Sequence, residues 1–537
     1  MTAPELYEGP EGPGDDGNEP LRRKPWKRWA LVIGVVLVVI GLVVSLTGVW
    51  QLFQPDNARP TEVELELPAQ PAGGAFGEQA PKWADCGDGF ECADVHAPLN
   101  WDELEGDTIQ LRLVKQPAKS GKPIGTLFVN PGGPGASGAE YVRNSIAYAV
   151  GDSLQREYDV IGWDPRGVGS SSAVSCLDAA GMDEYLFGVS TSTAERGSDE
   201  WIAEAVAASK EFGEACSENT GELLAHVDTV STVRDLDMLR EIVGDAQLNY
   251  LGYSYGTHIG ARYADMFPER AGRLVLDGVL DPTASEADVV REQTQGFELA
   301  LRSYVAACLG GQDCPLTGSV DDAMAQIGEL LDGVDEAELM SSDGRTLTTS
   351  TMLTAIVTPL YAESNWGYLS MLFETVAAGE ADVAFSLADS YYSRMDGQYI
   401  DNSTEAFQAI NCLDYPNSVD PERMRLEAAE LERVAPTIGR FQGFGDVSCA
   451  GWPYKGVEER APVRAAGADP ILVVGTTGDP ATPYRWAEAL AEQLESGVLL
   501  RFEGEGHTAY GQNACVNDVV ESYLLDGTVP ESGVTCS

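Results

Sequence analysis

The sequence has little positive charge. Among its 537 residues, lysine and arginine number 34 against 85 aspartates and glutamates, and the formal net charge is −51. A chain with this charge repels polyanions, so we expect neither nucleic acid nor an anionic membrane surface as its partner. The excess of acidic residues is better explained by solubility than by a cationic substrate.

Metal-binding spacings are also missing. No two of the ten cysteines form a C-x-x-C pair, and no two of the four histidines form an H-x-x-x-H pair. We therefore expect no metal ion and no cofactor. A cysteine-nucleophile motif is absent as well, which argues against a thiol hydrolase.

The cysteines indicate an oxidising compartment instead. All ten lie C-terminal to residue 50, and disulfides form and persist in exported proteins. The sequence does not fix the pairing, although pairing between neighbours is a reasonable arrangement: Cys86–Cys92, Cys176–Cys216, Cys308–Cys314, Cys412–Cys449 and Cys515–Cys536.

One apolar run is long enough to cross a bilayer. Residues 29–50 carry no charge, and as a helix they extend about 33 Å, enough for the hydrocarbon core. Five of the eight residues 21–28 are cationic, which favours a cytoplasmic N-terminus and an extracytoplasmic remainder. No convincing small-residue cleavage site follows, so we predict an uncleaved single-pass anchor. The alternative is a cleaved signal peptide and a secreted protein.

A Gly-x-Ser-x-Gly pentapeptide, Gly252–Gly256, directly follows the apolar run 248–251. The next residues, 257–267, have the spacing of a helix, so the motif lies between a strand and a helix. This context is typical of a nucleophile elbow, a sharp turn that exposes the serine hydroxyl above a sheet. We therefore predict that Ser254 is a catalytic nucleophile.

A serine hydroxyl needs a base that accepts its proton. In chains with this elbow, the acid and then the histidine follow the serine. His96 and His226 precede the serine, and His258 lies on the elbow helix and cannot fold back to the hydroxyl. His507, in a glycine-rich loop after an apolar run, is the predicted base.

Two aspartates that each follow a predicted buried strand are candidates for the acid. Asp479 lies 28 residues before His507, with room for one helix and one strand between them. Asp277 is the rival, because some hydrolases take the acid from an earlier strand. We favour Asp479, although an aspartate at that position could also cap the following helix. Two further acids are too close to the histidine in sequence, Glu503 and Glu505.

An oxyanion hole needs main-chain N–H groups that face the developing negative charge. The residue after the nucleophile, Tyr255, supplies one. The other is expected from the glycine-rich loop 130–135, which follows the predicted strand 126–129. Gly133 is the predicted second donor.

Six segments, taken in order, resemble one family: 130–138, 163–169, 252–256, 276–278, 478–480 and 506–508. Together they are similar to the proline-iminopeptidase and tripeptidyl-aminopeptidase family of exported α/β-hydrolases, particularly its actinobacterial branch. The resemblance covers about residues 82–536 and implies the same roles for Ser254, Asp479, His507, Gly133 and Tyr255. Proline-specific members carry a histidine where this chain has Pro131, which favours the tripeptidyl branch.

The expected fold is an α/β-hydrolase with a mostly parallel central sheet, an inserted helical cap and one N-terminal transmembrane helix. The alternation of strands and helices by itself favours only an α/β class with a mostly parallel sheet. The expected segments are a cytoplasmic tail 1–28, an anchor 29–50, a linker 51–81, the first part of the core 82–281, a helical cap 282–462 and the C-terminal part of the core 463–537.

An aminopeptidase must also bind a charged α-amine, for which carboxylates of the cap are the natural partners. The sequence offers three candidates, Asp414, Glu363 and Glu405, of which Asp414 is preferred.

The expected activity is a serine peptidase that releases short peptides, and tripeptides in particular, from the free N-termini of peptide substrates. A cell-envelope carboxylesterase or lipase with the same triad is the alternative. A non-enzymatic binding domain is disfavoured, because nucleophile, base, acid and oxyanion loop are all present. The sequence gives no indication of an oligomeric state.

Overall fold

The computed structural model describes residues 65–537 apart from 72, 191, 417, 457–459 and 532. The predicted tail and membrane anchor, residues 1–50, lie outside the described residues. Within the described part of the chain, no helix combines the length and the apolarity needed to cross a membrane.

A ten-stranded sheet lies at the centre of the structure. Its strands are β1 (Ala84–Asp85), β2 (Glu91–Pro98), β3 (Thr108–Gln116), β4 (Thr126–Asn130), β5 (Asp159–Trp163), β6 (Leu248–Tyr253), β7 (Ala271–Asp277), β10 (Ile471–Gly478), β11 (Gly497–Glu505) and β12 (Thr535–Cys536). A separate small hairpin consists of β8 (Arg394–Met395) and β9 (Gln398–Tyr399).

The order of the strands is β1-β2-β3-β5-β4-β6-β7-β10-β11-β12. The pairs from β1 to β5 along this order are antiparallel, and every pair from β5 to β12 is parallel. The predicted α/β-hydrolase arrangement with a mostly parallel sheet is thus confirmed. The central strand β4 is buried along its whole length, as expected for a sheet covered on both faces.

Helices cover the sheet and fill the insertion between β7 and β10. Before β7 lie α1 (Gly138–Ala149), α2 (Asp152–Glu157), α3 (Ala179–Phe187), α4 (Asp199–Thr220), α5 (Thr229–Ile242) and α6 (Tyr255–Met266). The insertion holds α7 (Glu286–Gly310), α8 (Val320–Ala337), α9 (Thr349–Leu360), α10 (Trp366–Ala377), α11 (Asp382–Tyr391), α12 (Ser403–Asp414), α13 (Pro421–Val434) and α14 (Gly439–Gln442). The last two helices are α15 (Tyr484–Gln493) and α16 (Ala514–Asp526).

The inserted helices do not all belong to one hydrophobic core. Helices α7 to α11 share a cluster of buried side chains that is separate from the two clusters on the faces of the sheet. Helix α12 is different, because its buried apolar residues join the cluster of the catalytic core: Ala406, Ala409, Ile410 and Leu413. The segment predicted as one cap therefore contributes one helix to the core.

The packed body also begins earlier than the expected boundary at residue 82. Phe76 is only 3% exposed, and its ring lies 6.4 Å from that of Trp101. Gln79 accepts the N–H of His96 at 2.9 Å and donates to its carbonyl oxygen at 2.7 Å. The end of the predicted linker is therefore part of the folded body.

Disulfides join neighbouring cysteines along the chain, which confirms the pairing that the sequence suggested. The five bonds are Cys86–Cys92, Cys176–Cys216, Cys308–Cys314, Cys412–Cys449 and Cys515–Cys536. The Cys412–Cys449 bond ties α12 to the short 3₁₀ helix Gly445–Cys449.

Candidate active site

The candidate catalytic residues follow neighbouring parallel strands. Ser254 directly follows β6, Asp277 ends β7, Asp479 directly follows β10, and His507 lies two residues after β11. These strands are adjacent and parallel in the sheet. Their carboxyl ends therefore meet at one edge, where open α/β sheets place their sites.

The backbone of Ser254 adopts an unusual conformation. Its φ is 54° and its ψ is −126°, a combination that costs about 1–3 kcal/mol for a residue with a side chain. The surrounding structure holds it there, since the Ser254 N–H donates to the carbonyl of Asp277 at 2.9 Å and the Ser254 carbonyl accepts from Thr257 at 2.9 Å. This is the geometry of a strand-to-helix elbow.

The histidine and the favoured acid are in direct contact. Nδ1 of His507 lies 3.0 Å from Oδ1 and 2.9 Å from Oδ2 of Asp479. Main-chain N–H groups of Ala481, Thr482 and Thr508 also donate to this carboxylate, at 2.9, 2.8 and 3.2 Å. The acid is thus fixed in place, and it fixes the ring of His507 through one nitrogen.

The ring of His507 also packs against the end of β7. A methyl group on Gly278 would lie 3.1 Å from Cε1 of His507, and Gly278 follows the residue that holds the Ser254 N–H. Burial acts to lower the pKa of His507, but the charge and hydrogen bond of Asp479 outweigh it and raise the pKa above 6.5. The charge of Asp277 acts in the same direction.

Asp277, the rival acid, binds the main chain of the histidine loop, residues 506–513, which follows β11. Its buried carboxylate accepts the N–H of Ala509 at 3.0 Å and that of Tyr510 at 2.8 Å. Burial raises the pKa of Asp277 to about 6, against the effect of these two hydrogen bonds. The structure thus brings Asp479, and not Asp277, to the imidazole nitrogen.

Sequence reasoning did not single out Thr482. Its hydroxyl donates to Oδ2 of Asp479 at 2.8 Å and lies 3.2 Å from Nδ1 of His507. Its position three residues after the aspartate, just before α15, is the usual one for a turn held by an aspartate side chain. That spacing is the signal by which it could have been found.

The glycine-rich loop 130–135 lies directly on the elbow. A methyl group on Gly132 would lie 2.9 Å from Cβ of Ser254 and 3.0 Å from the nitrogen of Tyr255, so only glycine fits there. Gly132 donates its own N–H to Asn130 at 2.9 Å. Within the part of the chain that the structure describes, the N–H of Gly133 has no hydrogen-bond partner.

Asp164, to which the sequence assigned no individual role, holds the start of the helix that follows this loop. It accepts the hydroxyl of Ser137 at 2.5 Å and the N–H groups of Ala139 and Ser170 at 3.1 and 2.8 Å. Burial raises the pKa of Asp164 to about 6, although these hydrogen bonds act to lower it. The start of α1, just after the loop, is thereby fixed to the end of β5.

The three predicted amine-binding carboxylates have different surroundings. Asp414 is buried and accepts from Thr229. Glu405 is buried and accepts the N–H groups of Cys176 and Leu177 at 2.7 and 3.0 Å.

Glu363 is exposed and lies beside the histidine loop. The carbonyl oxygen of Tyr361, two residues earlier, accepts the N–H of His507 at 2.8 Å. Of the three candidates, only Glu363 is exposed, and its main-chain nitrogen lies 3.7 Å from where a methyl group on Gly506 would be. Across the described residues, no cluster of three or more His, Cys, Asp or Glu side chains is arranged to hold a metal ion.

Two protein families match separate parts of the chain. The family described as alpha/beta hydrolase fold matches residues 125–320, and the family described as TAP-like protein matches residues 435–536. The first range contains Ser254 and the glycine-rich loop, and the second contains Asp479 and His507.

Curated relatives match most of the chain. Serine protease Hip1 of Mycobacterium tuberculosis (strain ATCC 25618 / H37Rv) is 33% identical over 529 residues, 95% of this chain and 97% of that protein. Carboxylesterase B of the same strain is 35% identical over 455 residues, 83% of this chain and 86% of that protein. Tripeptidyl aminopeptidase of Streptomyces lividans is 28% identical over 474 residues, 85% of this chain and 86% of that protein.

Proposed function

We propose that this chain, which belongs to the TAP-like family of α/β-hydrolases, is a serine peptidase that releases short peptides from free N-termini. Tripeptides are the proposed product, as the name of the Streptomyces relative suggests. The observation that carries the proposal is the contact between His507 and Asp479 at the sheet edge where the Ser254 elbow ends.

Each residue has one proposed role in an acyl-enzyme mechanism. Ser254 attacks the scissile carbonyl while His507 accepts its proton and then donates it to the leaving amine. Asp479 holds the imidazole in the tautomer that bears a proton on Nδ1, which leaves Nε2 to act as the base. The N–H groups of Gly133 and Tyr255 stabilise the oxyanion. Water then repeats the sequence on the acyl-enzyme.

Glu363 is the proposed partner of the substrate α-amine. Glu363 is exposed and its main chain lies next to Gly506, and another carboxylate, that of Glu505, is affected by its charge. Burial raises the pKa of Glu505, and the negative charge of Glu363 contributes to that shift. Two carboxylates close enough to repel each other create a negative potential, which favours an ammonium group over a blocked terminus.

The enzyme is proposed to work outside the cytoplasm, held by an uncleaved helix at residues 29–50. The support is the uncharged run itself and the five cationic residues that precede it. Alkaline carbonate extraction of membranes tests this proposal. The full-length chain should stay in the membrane pellet, and release into the supernatant at full length would contradict an anchor.

The proposed activity is tested by comparing three substrates of the full chain: a fluorogenic tripeptide with a free N-terminus, its acetylated twin and a short-chain nitrophenyl ester. We expect the free tripeptide to have the highest kcat/KM and the acetylated twin to be a poor substrate. The Ser254→Ala variant is the blank and should be inactive on all three. Equal rates on the two peptides would contradict an aminopeptidase.

A carboxylesterase is the second candidate function. It is favoured by the 35% identity to carboxylesterase B over 83% of this chain, and the same triad and oxyanion donors would hydrolyse an ester. A dominant ester rate that acetylation of the peptides does not affect would support this alternative.

A further inference from the structure

Helix α12 touches the loop that carries the proposed oxyanion donor Gly133. A methyl group on Gly135 would lie 2.5 Å from the carbonyl oxygen of Ser403 and 2.9 Å from the nitrogen of Phe407. The first turns of α12 therefore lie directly on the glycine-rich loop. Helix α12 therefore supports the loop that supplies the proposed donor Gly133.

At its other end, α12 is connected to Tyr255 by a directed chain of hydrogen bonds. Thr229 donates its N–H to Oδ1 of Asp414 at 2.9 Å and its hydroxyl to Oδ2 at 2.5 Å. The Thr229 hydroxyl is also hydrogen-bonded to the hydroxyl of Tyr255. Thr229 has one hydroxyl proton and donates it to Asp414, so Tyr255 is the donor in its hydrogen bond to Thr229.

The helix that carries Asp414 is held on the core at further points. Asn402, at its N-cap, donates to the carbonyl oxygens of Gly167 and Val174 at 2.9 and 2.8 Å. The Cys412–Cys449 disulfide fixes the helix two residues before Asp414. Asp414 is thus a fixed point against which the ring of Tyr255 can be aligned.

As a proposed oxyanion donor, the Tyr255 N–H needs a fixed direction. Tyr255 is the first residue of α6, and the first N–H groups of a helix have no acceptor within the helix. Hydrogen bonds weaken steeply when the donor is misaligned, and oxyanion stabilisation requires donors that are oriented before the reaction.

We propose that Asp414 is a positioning residue: through Thr229 it holds the ring of Tyr255 and so directs the Tyr255 N–H into the oxyanion site. Helix α12 thereby supports both proposed oxyanion donors. The inference rests on the proposed function only in taking that N–H as an oxyanion donor. It differs from the amine-binding role that the sequence suggested, because both carboxylate oxygens of Asp414 are engaged by buried groups.

The test uses a short-chain nitrophenyl ester, which has no amine, and the full chain with single substitutions. Asp414→Asn and Thr229→Val should each lower kcat about 10- to 100-fold, less than the loss of a whole oxyanion donor. KM should stay within about twofold, because oxyanion contacts act in the transition state. Thr229→Ser keeps the hydroxyl and should restore most of the rate.

Two further readouts separate positioning from general damage. In these variants, the fall of kcat/KM at low pH should occur at the same pH as in the native chain, since His507 and Asp479 are unchanged. An aryl trifluoromethyl ketone, which forms an oxyanion when Ser254 adds to it, should bind more weakly in proportion to the loss of kcat. Glu298→Gln is the matched control. Glu298 is a cap carboxylate that is 2% exposed, as Asp414 is, and it accepts main-chain N–H groups of Thr437 and Ile438.

A double-mutant cycle with Tyr255→Phe tests whether the effect of Asp414 on kcat passes through the Tyr255 hydroxyl. If Asp414 acts through the Tyr255 hydroxyl, Asp414→Asn should change kcat less than about twofold in the Tyr255→Phe background. Full additivity of the two substitutions would overturn the proposal. So would an effect of Asp414→Asn confined to KM for peptides with a free amine, which would return Asp414 to substrate binding.

The outcomes also separate this inference from the proposed function. In one outcome, the native chain hydrolyses free and acetylated peptides equally while the double-mutant cycle, measured with the ester, gives the predicted result. That outcome would contradict the peptidase and leave the positioning role standing. If Asp414→Asn does not fold, Thr229→Val, Thr229→Ser and Tyr255→Phe carry the same cycle.

Discussion

The N–H of Ser254 donates a hydrogen bond to the carbonyl oxygen of Asp277, 2.9 Å away. The carboxylate of the same aspartate accepts two N–H groups from the loop after His507. One residue at the end of β7 therefore connects the nucleophile turn to the histidine loop. The main-chain carbonyl of Asp277 holds the nucleophile turn, and its carboxylate holds the histidine loop.

This arrangement predicts different results for the two aspartates. Asp479→Asn should lower kcat by about 10³- to 10⁴-fold, because it disturbs the tautomer and the charge at His507. Asp277→Asn should lower thermal stability, with a cost of about 1–3 kcal/mol for a poorly satisfied buried group, and should lower kcat far less. Steady-state kinetics and thermal unfolding of both variants check this. A larger loss of kcat in Asp277→Asn would assign the acid to Asp277.

The pH dependence should report His507. Burial acts to lower its pKa, but the charge and hydrogen bond of Asp479 raise the pKa above 6.5. A base must be neutral, so kcat/KM should fall as the pH drops through an apparent pKa above 6.5. In Asp479→Asn the raising contributions are lost, and the acid limb should move to lower pH. If the fall of kcat/KM at low pH occurs at the same pH in Asp479→Asn as in the native chain, its assignment to His507 held by Asp479 is contradicted.

Thr482 should matter through its hydroxyl. It contacts both Asp479 and His507, and a hydrogen bond to a charged group contributes about 1.5–3 kcal/mol. Thr482→Val keeps the shape of the side chain and should lower kcat/KM by about 10- to 100-fold on that scale. Thr482→Ser retains the hydroxyl and is the control. Similar losses in both variants would assign the effect to packing.

Glu363 should discriminate between free and blocked peptides. Glu363→Gln should raise KM for a tripeptide with a free N-terminus and leave its acetylated twin unchanged, since only the ammonium group needs the charge. Glu374→Gln, which removes an exposed carboxylate further along the chain on α10, is the control. Equal changes of KM for both peptides would place the amine elsewhere.

Sequence reasoning could predict the part of the candidate site whose placement follows from strand order. Ser254, Asp479 and His507 each come just after a strand, and parallel neighbouring strands bring their carboxyl ends to one edge. The chain order alone could therefore predict that these residues lie close together. The structure places Asp479 and His507 in contact at that edge.

Sequence reasoning did not predict roles that depend on which side chains pack together. The apolar spacing of 406–413 is that of a helix, but the spacing does not say whether the helix packs on the cap or on the core. The direction of Asp414 follows from that packing, and so the buried network with Thr229 was not foreseen. The sequence likewise places Phe76 in a linker, because a single aromatic residue shows no periodic pattern that would reveal its burial.

Covalent labelling with a fluorophosphonate tests the central claim most directly, because the reagent requires an activated serine and no knowledge of the substrate. Peptide mapping by mass spectrometry should place a single adduct on Ser254 in the native chain. The labelling rate should fall by about 10³-fold or more in His507→Ala. An adduct on another serine, or an unchanged rate in His507→Ala, would contradict the catalytic assignment.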